Sequence, residues 1–363
     1  MKIGILTFHR PLNYGALLQA IALRSYLSDM GHDVYYVDYW PEYHKDSYRV
    51  FNKTIFKTAS LKEKITIIFK SAIFGFGRKK RINAFSHFIE EYINPYCQDY
   101  HSGVAYDLCL YGSDQIWRNF KSLGNHQDFT YFGINQIIAS VHASFAASMG
   151  NIIVKDSDIH KLKDGLSRFK MIGVREQNIY SLLTEWGFNN VHLNIDPTLL
   201  LCSQKWEEIL KPQRLIKEPY LVTYSLREAF NKDEIEKFAD KHHLRIVRIG
   251  SSYSLRDRHN EFNVTSPYDF VSLIKYADFS LMASFHGLVF SLIFQRQFFV
   301  SFATAADRAR TLLGNLGLKE RFIEPFSILP EETHTIDYSE VEKKLDVLKT
   351  SSQIYLNNLT EIH

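Results

Sequence analysis

The sequence predicts an α/β protein of two domains, each built on a parallel sheet. Three observations carry this. Apolar runs of strand length alternate with periodic, helix-length segments, first over residues 3–38 and again over 220–301. A chain of 363 residues with a hydrophobic share of 45% has enough apolar material for two cores. Finally, several of the apolar runs end in a short polar turn, as strands do where a parallel sheet presents its ligand-binding loops.

Ile3 to Phe8 is a continuous apolar run, followed by His9-Arg10-Pro11-Leu12-Asn13-Tyr14-Gly15. An amphipathic helix then reaches Met30, stopped by Gly31, and a second strand spans Val34 to Asp38. Strand, turn, helix and strand make a βαβ unit with a right-handed crossover. Asn13, Tyr14 and Gly15 therefore become candidates for substrate contact, and they read equally as a helix N-cap with a glycine for tight packing.

Residues 41–100 break the alternation and read as an inserted helical pair. Its basic, phenylalanine-bearing stretch 60–81 is either a solvated helix face covering the sheet or a surface resting on an anionic membrane. Strands resume at Asp107–Tyr111, which leads into Gly112-Ser113-Asp114-Gln115-Ile116-Trp117, and at Ile138–Ala147, which leads into Ser148-Met149-Gly150. Met171–Val174 runs into Arg175-Glu176, and Val191–Ile195 closes at Asp196-Pro197, where proline ends central pairing. Asp156-Ser157-Asp158 has the spacing of a metal-binding acidic pair but reads better as a helix N-cap.

The second series comprises strand Tyr220–Ser225, helix Lys232–His242 and strand Leu244–Ile249. It continues with a helix opened by Ser266-Pro267-Tyr268-Asp269, strand Phe279–Ala283, a helix beginning near Leu288, and strand Gln297–Ser301. Ser284-Phe285-His286-Gly287 stands wedged between two apolar elements, at the mouth of a helix whose free N–H groups favour an anion. A histidine satisfied by a backbone carbonyl at a strand end is the plainer alternative. Thr304 to Arg310 is an arginine-rich loop, and Ser339–Leu356 is an amphipathic helix placed to lie back on the first domain. The expected organisation is an N-terminal domain over 1–200 with the insertion at about 41–100, a C-terminal domain over 201–325, and a helical segment over 326–363.

Composition removes several functions. Lys and Arg number 43 against 40 Asp and Glu, so there is no basic field for nucleic acid. Three scattered cysteines fit reduced thiols in a cytoplasmic setting better than a disulfide framework. The first residues read as a buried strand and not as a secretory signal. No run is long enough for a membrane span, so contact with the inner face of a membrane would be peripheral. Nucleophile elbow, zinc signatures and P-loop are all missing from the sequence, and no metal or cofactor is expected. What remains is a histidine, arginines, and hydroxyl and amide groups at strand exits, which are expected to face each other across a cleft between the two domains. These are parts for holding a small anion and moving protons.

The motifs Asn13-Tyr14-Gly15-Ala16-Leu17-Leu18-Gln19-Ala20, Gly112 to Trp117, Ala147 to Gly150, Val174-Arg175-Glu176, Asp196-Pro197-Thr198-Leu199-Leu200 and Ser284 to Gly287, in this order, resemble the polysaccharide pyruvyl transferases. The resemblance implies two Rossmann-like domains arranged as in GT-B glycosyltransferases. It also implies a donor substrate, phosphoenolpyruvate, and a sugar or lipid-linked oligosaccharide acceptor bearing two hydroxyls that receive pyruvate as a ketal. On that reading His286 is catalytic, with Asp114 as a base on the acceptor. Arg175, Ser284, Phe285 and Gly287 lie on the donor side, and Asn13, Tyr14, Gly15, Ser113, Gln115 and Ser148 contact the acceptor. Many members carry an arginine where this chain has Ser284, so Arg308 or Arg310 is expected to supply the charge. A nucleotide-sugar-dependent glycosyltransferase of similar fold and a non-catalytic polysaccharide-assembly protein are the competing readings.

Overall fold

The computed structural model describes residues 1–48, 56, 60–150, 153–225, 227–250, 262, 265–304, 306–331 and 334–361. The chain divides into two units, one formed by Met1–Trp40, Glu90–Leu201 and Lys343–His363, the other by Pro41–Ile89 and Cys202–Glu342.

In the first unit the strands are β1 (Lys2–Leu6), β2 (Asp33–Asp38), β3 (Cys97–Asp99), β4 (Ala105–Tyr111), β5 (Asn119–Phe120), β6 (His126–Gln127), β7 (Ile138–Ala147), β8 (Phe169–Val174) and β9 (Val191–Leu193). Seven of them form one parallel sheet in the order β3-β2-β1-β4-β7-β8-β9, while β5 and β6 make a small antiparallel pair. Ile3, Ile5 and Leu6 are fully buried because β1 lies in mid-sheet. Gly4 is required beside them: a Cβ there would meet the Tyr106 ring of β4 at 3.0 Å. The helix Tyr14–Asp29 is buried around its whole circumference from Tyr14 to Leu23, so it is not the amphipathic helix its sequence suggested. The sheet order reverses between β1 and β4, which makes their carboxyl ends the topological switch point.

The last helix, Tyr338–Thr360, locks onto this unit from residue 343. The Tyr355 hydroxyl donates to the Ser144 carbonyl at 2.6 Å, the Ile195 N–H donates to Ser352 Oγ at 2.9 Å, and Leu356 and Leu359 are fully buried.

The second unit holds β10 (Tyr220–Ser225), β11 (Arg245–Ile249), β12 (Phe279–Ala283) and β13 (Gln297–Val300), all parallel in the order β11-β10-β12-β13. Phe279, Phe299 and Phe238 pack together on one face, with ring centroids 4.8 Å apart for Phe238 and Phe279 and 5.5 Å for Phe279 and Phe299. The helix Pro267–Lys275 opens on the anticipated capping box, Ser266 with Asp269. Here the switch point falls between β10 and β12, the strands that lead to Arg227 and to Ser284-Phe285-His286-Gly287.

One allocation changes. Residues 41–89 were expected with the first domain but group with the second unit. The physical reason lies in the long helix Leu61–Tyr92, where Arg81 Nη1 donates to the Gly250 carbonyl at 3.3 Å and the Phe88 ring meets Tyr268 edge-on at 4.9 Å. The side chains of 65–78, on which membrane contact would depend, lie outside the described residues. Among the described residues, no helix is long and apolar enough to cross a membrane.

Candidate functional site

In the second unit, β12 is hydrogen-bonded on both flanks and every one of its residues is buried. It gives out at Ser284, whose extended backbone and side chain form the N-cap of the helix Phe285–Ile293, with Oγ accepting from the Gly287 N–H at 3.2 Å. The helix thus begins three residues before the expected Leu288, and His286 stands in its first turn. His286 is only 9% exposed, and Phe285 and Ser284 are buried as well. Gly287 is demanded by close approach: a Cβ there would lie 2.7 Å from Met282 Sδ.

Aromatic contact links this turn to its neighbours. The Phe285 ring stands edge-on to His286 at 5.6 Å, and the Arg308 guanidinium lies over Phe285 at 4.9 Å. Arg310, two residues along the same helix and therefore on a different face, bonds Glu324 at 2.7 Å and stacks on Phe322 at 3.7 Å. The structure thus brings Arg308, and not Arg310, to the His286 turn. Arg227, leaving β10, donates to Thr304 Oγ1 at 3.3 Å in the loop after β13.

The first unit gathers a second polar group at its own switch point. Thr7 Oγ1 donates to the Ser113 carbonyl at 3.0 Å, and Ser113 Oγ to the Ala146 carbonyl at 2.9 Å. Gly112, at φ +124, admits no side chain, since a Cβ would meet the Phe145 carbonyl oxygen at 2.3 Å. Asp114 adopts φ +70, an uncommon conformation for a residue with a side chain, and its carbonyl accepts from the Ser148 N–H at 3.0 Å. Ser148 Oγ donates to Glu176 at 2.5 Å.

Arg175 sits among three carboxylates. Its Nη1 donates to Asp196, Nη2 lies 3.9 Å from Asp114, and Nε lies 3.9 Å from Glu176. Its side chain is 3% exposed, Asp196 is fully buried, and Asp114 reaches 17%. Burial alone would lower the affinity of the guanidinium for its proton, but Asp196, Glu176 and Asp114 outweigh it and hold the pKa raised.

The residues expected at the two substrates are placed as follows. Arg175, expected on the donor, is enclosed by its own unit's acids. Tyr14, Gly15, Ser113 and Ser148, expected on the acceptor, are buried, and Asn13 spends its side chain capping the helix by accepting from the Ala16 N–H at 3.2 Å. Gln115 is partly exposed beside Gly150. Asp156 and Asp158 lie inside the first turn of the helix Asp156–Leu166 and do not cap it; Asp158 instead accepts from His126 Nδ1 at 2.6 Å.

The sequence reading passed over a further cluster at the ends of β1 and β2. His9, 1% exposed, reaches Asp38 at 3.1 Å, and Arg10 grips the same carboxylate through Nε at 2.9 Å and Nη2 at 2.6 Å. Burial would raise the Asp38 pKa, but these two partners hold it well below the usual carboxylate range. His9, Asp38 and Cys97 present ligand atoms within 4.8 Å of one another, yet the bidentate Arg10 already neutralises the carboxylate a cation would need. Both residues stand at strand exits, the signal that located the other groups.

Comparison with known proteins adds the following. A family model described as polysaccharide pyruvyl transferase matches residues 13–303. No curated protein matches the sequence. Among solved structures, the chain is similar to the UDP-GlcNAc 2-epimerase of Methanocaldococcus jannaschii, at 11% identity over 99% of both chains with a TM-score of 0.46. It is similar to the apo UGT2 of Phytolacca americana at 11% identity, over 99% of this chain and 95% of that one, with a TM-score of 0.37. An uncharacterized protein of Klebsiella pneumoniae subsp. pneumoniae aligns over 69% of this chain and 88% of its own at 12% identity, TM-score 0.38.

Proposed function

The chain belongs to the polysaccharide pyruvyl transferase family, and we propose that it moves the pyruvyl group of phosphoenolpyruvate onto two hydroxyls of a sugar, free or in a lipid-linked oligosaccharide. The product is a cyclic ketal and the leaving group is phosphate. The observation that carries this reading is His286, nine-tenths buried in the first turn of the helix that leaves a central strand at the switch point.

The chemistry sets what the residues must do. A proton is delivered to the methylene carbon of the enol, which places oxocarbenium character on the adjacent carbon. One sugar hydroxyl attacks that carbon and loses its proton; the C–O bond to phosphate breaks; the second hydroxyl closes the ring and loses its proton in turn. One of the two hydroxyl protons replaces the one consumed at carbon, and the other leaves with phosphate or solvent. His286 acts as the acid or base in this exchange, a contribution of about 10²- to 10⁴-fold. The partly buried Arg308 guanidinium, stacked on Phe285, supplies positive charge for the donor carboxylate or phosphate where Ser284 supplies none. Asp114 serves as the base on the acceptor hydroxyl, its carboxylate being the most exposed of the acids around Arg175.

The test is to incubate the protein with phosphoenolpyruvate and candidate sugars, following phosphate release together with the mass gain of the acceptor. His286→Ala should lower turnover at least about 10²-fold. Full activity in that variant would remove His286 from the chemistry.

A further inference from the structure

We propose that Arg118 forms an anion subsite in the first unit, one that takes a carboxylate or phosphoryl group carried by the acceptor sugar. The inference rests on the reading that this unit binds the acceptor, and it makes that acceptor an acidic one.

Two arginines stand near the strand exits of the first unit's switch point, and they are held in opposite ways. Arg10, beyond the end of β1, is committed: Asp38 accepts from its Nε and Nη2, and Asn94 accepts from Nη1 at 2.5 Å. Arg118 closes the loop that leaves β4, its N–H donating to the Gln115 carbonyl at 3.2 Å. Its guanidinium lies 4.9 Å from the centre of the Phe120 ring and 5.7 Å from that of Phe8, two rings that are themselves buried. The Arg118 side chain is only partly exposed, and its Nε is buried with no hydrogen-bond partner. Among the described residues no acid pairs with it. Asp128, in the same aromatic cluster, already accepts from the Tyr39 hydroxyl at 2.9 Å with one oxygen and from the Thr130 N–H at 3.0 Å with the other.

A second orphan belongs to this cluster. The Tyr131 ring meets Phe8 edge-on at 5.3 Å, the residue is fully buried, and its hydroxyl has no hydrogen-bond partner. Burial first, and then the charges of Asp128 and Tyr39, push its pKa well up against the pull of Arg118, so the phenol keeps its proton as a donor. The cluster therefore holds two unmet donors and a net positive charge.

A partly buried cation without a counter-charge gives up hydration and gains no ion pair in return. Packing against aromatic rings fixes the plane of a guanidinium and leaves its in-plane N–H groups for an anion that fits them bidentately. Phe8 and Phe120 thus hold ready a charge that the free protein does not use. The subsite shares its loop with Asp114 and Gln115, the proposed acceptor contacts, and this assigns the anion to the acceptor and not to phosphoenolpyruvate.

The experiment offers glucose, galactose and mannose to the intact chain, each as the methyl glycoside, the carboxymethyl glycoside and the 1-phosphate, three forms with the same ring hydroxyls. Binding is measured by ligand-observed NMR titration without phosphoenolpyruvate. For at least one sugar an anionic form should bind about tenfold or more tightly than the methyl form, as a charge-assisted hydrogen bond provides. That gap should narrow as salt rises from about 0.05 M to about 0.5 M, and the tighter of the two anionic forms separates carboxylate from phosphoryl recognition. Arg118→Gln should bring the three forms within about twofold of one another while the methyl glycoside binds as before, and Arg118→Lys should keep part of the gap. Equal weakening of all three forms would show a structural role only and overturn the proposal. So would a wild type that favours neither anionic form, a result that stands even if no variant folds. An Arg118→Gln protein whose KM for phosphoenolpyruvate rises about tenfold while the gap persists would place this arginine on the donor and refute the subsite. A gap abolished by Arg118→Gln in a protein that releases no phosphate from phosphoenolpyruvate with any of these sugars upholds the subsite and overturns the transferase reading instead.

Discussion

Gly287→Ala tests how tightly the His286 turn is built. In an open helix the added methyl would stabilise, since glycine is about 1 kcal/mol worse than alanine. Here the new Cβ would sit 2.7 Å from Met282 Sδ, 3.2 Å from its Cγ and 3.3 Å from its Cβ. The sulfur end of a methionine can rotate away, but the Met282 backbone is paired to Tyr224 on one side and Val300 on the other, so its Cβ cannot retreat, and the fully buried side chain has close-packed neighbours in the way of a swing of Cγ. Overpacking of this kind costs about 1–3 kcal/mol. Set against the propensity gain, the net effect is a loss of about 1 kcal/mol or slightly more. Urea denaturation at neutral pH should show a lower midpoint with unchanged slope. In a Met282→Ala background, where the contact is gone, the same glycine substitution should be neutral or stabilising. A Gly287→Ala protein as stable as its parent with Met282 in place would show that the first turn yields, and that the close packing credited with fixing His286 is absent.

Two other outcomes follow from the electrostatics. The Asp38 pKa is held below its unfolded value, so its contribution is present above roughly pH 4 and is lost as pH falls toward the folded value. The gap in urea midpoint between wild type and Asp38→Asn should therefore be widest near neutral pH and shrink in acid; a gap independent of pH would refute the role given to His9 and Arg10. Burial pushes the thiols of Cys97 and Cys109 up to about 12, while Cys202 is exposed. At pH 8 a maleimide should label Cys202 first, the half-buried Cys97 more slowly and Cys109 only after denaturation, as mass spectrometry of the intact chain would show; rapid labelling of Cys109 would contradict its burial.

The strands were legible wherever an apolar run exceeded about four residues, because burial in a parallel sheet leaves a continuous hydrophobic signature. β3, β5 and β6 carry too few residues to leave one. The strand exits were equally readable, since polar turns after buried runs stand out, and they supplied His286, Asp114 and Arg175. What the sequence could not convey was direction. Whether Arg175 faces outward or inward depends on Asp196, a neighbour only after β8 and β9 have paired. The placing of residues 41–89 likewise turned on Gly250 and Tyr268, contacts that no local pattern announces. Arg308 and Arg310 were indistinguishable by composition and were separated only by Phe285 and Glu324.

The fastening of Tyr355 to Ser144 and of Ser352 to Ile195 bears on how the chain is made. During synthesis, domains generally fold as their residues emerge. The second unit has all its residues once Glu342 has appeared, but the first, although its sheet is complete by Leu193, lacks the cover that Tyr355 gives Ser144 and Phe145 of β7 until the last helix arrives. The N-terminal half therefore waits on the ribosome with apolar surface uncovered, and a chain stopped short of residue 352 would keep it so, an exposed intermediate of the kind that chaperones bind and proteases remove.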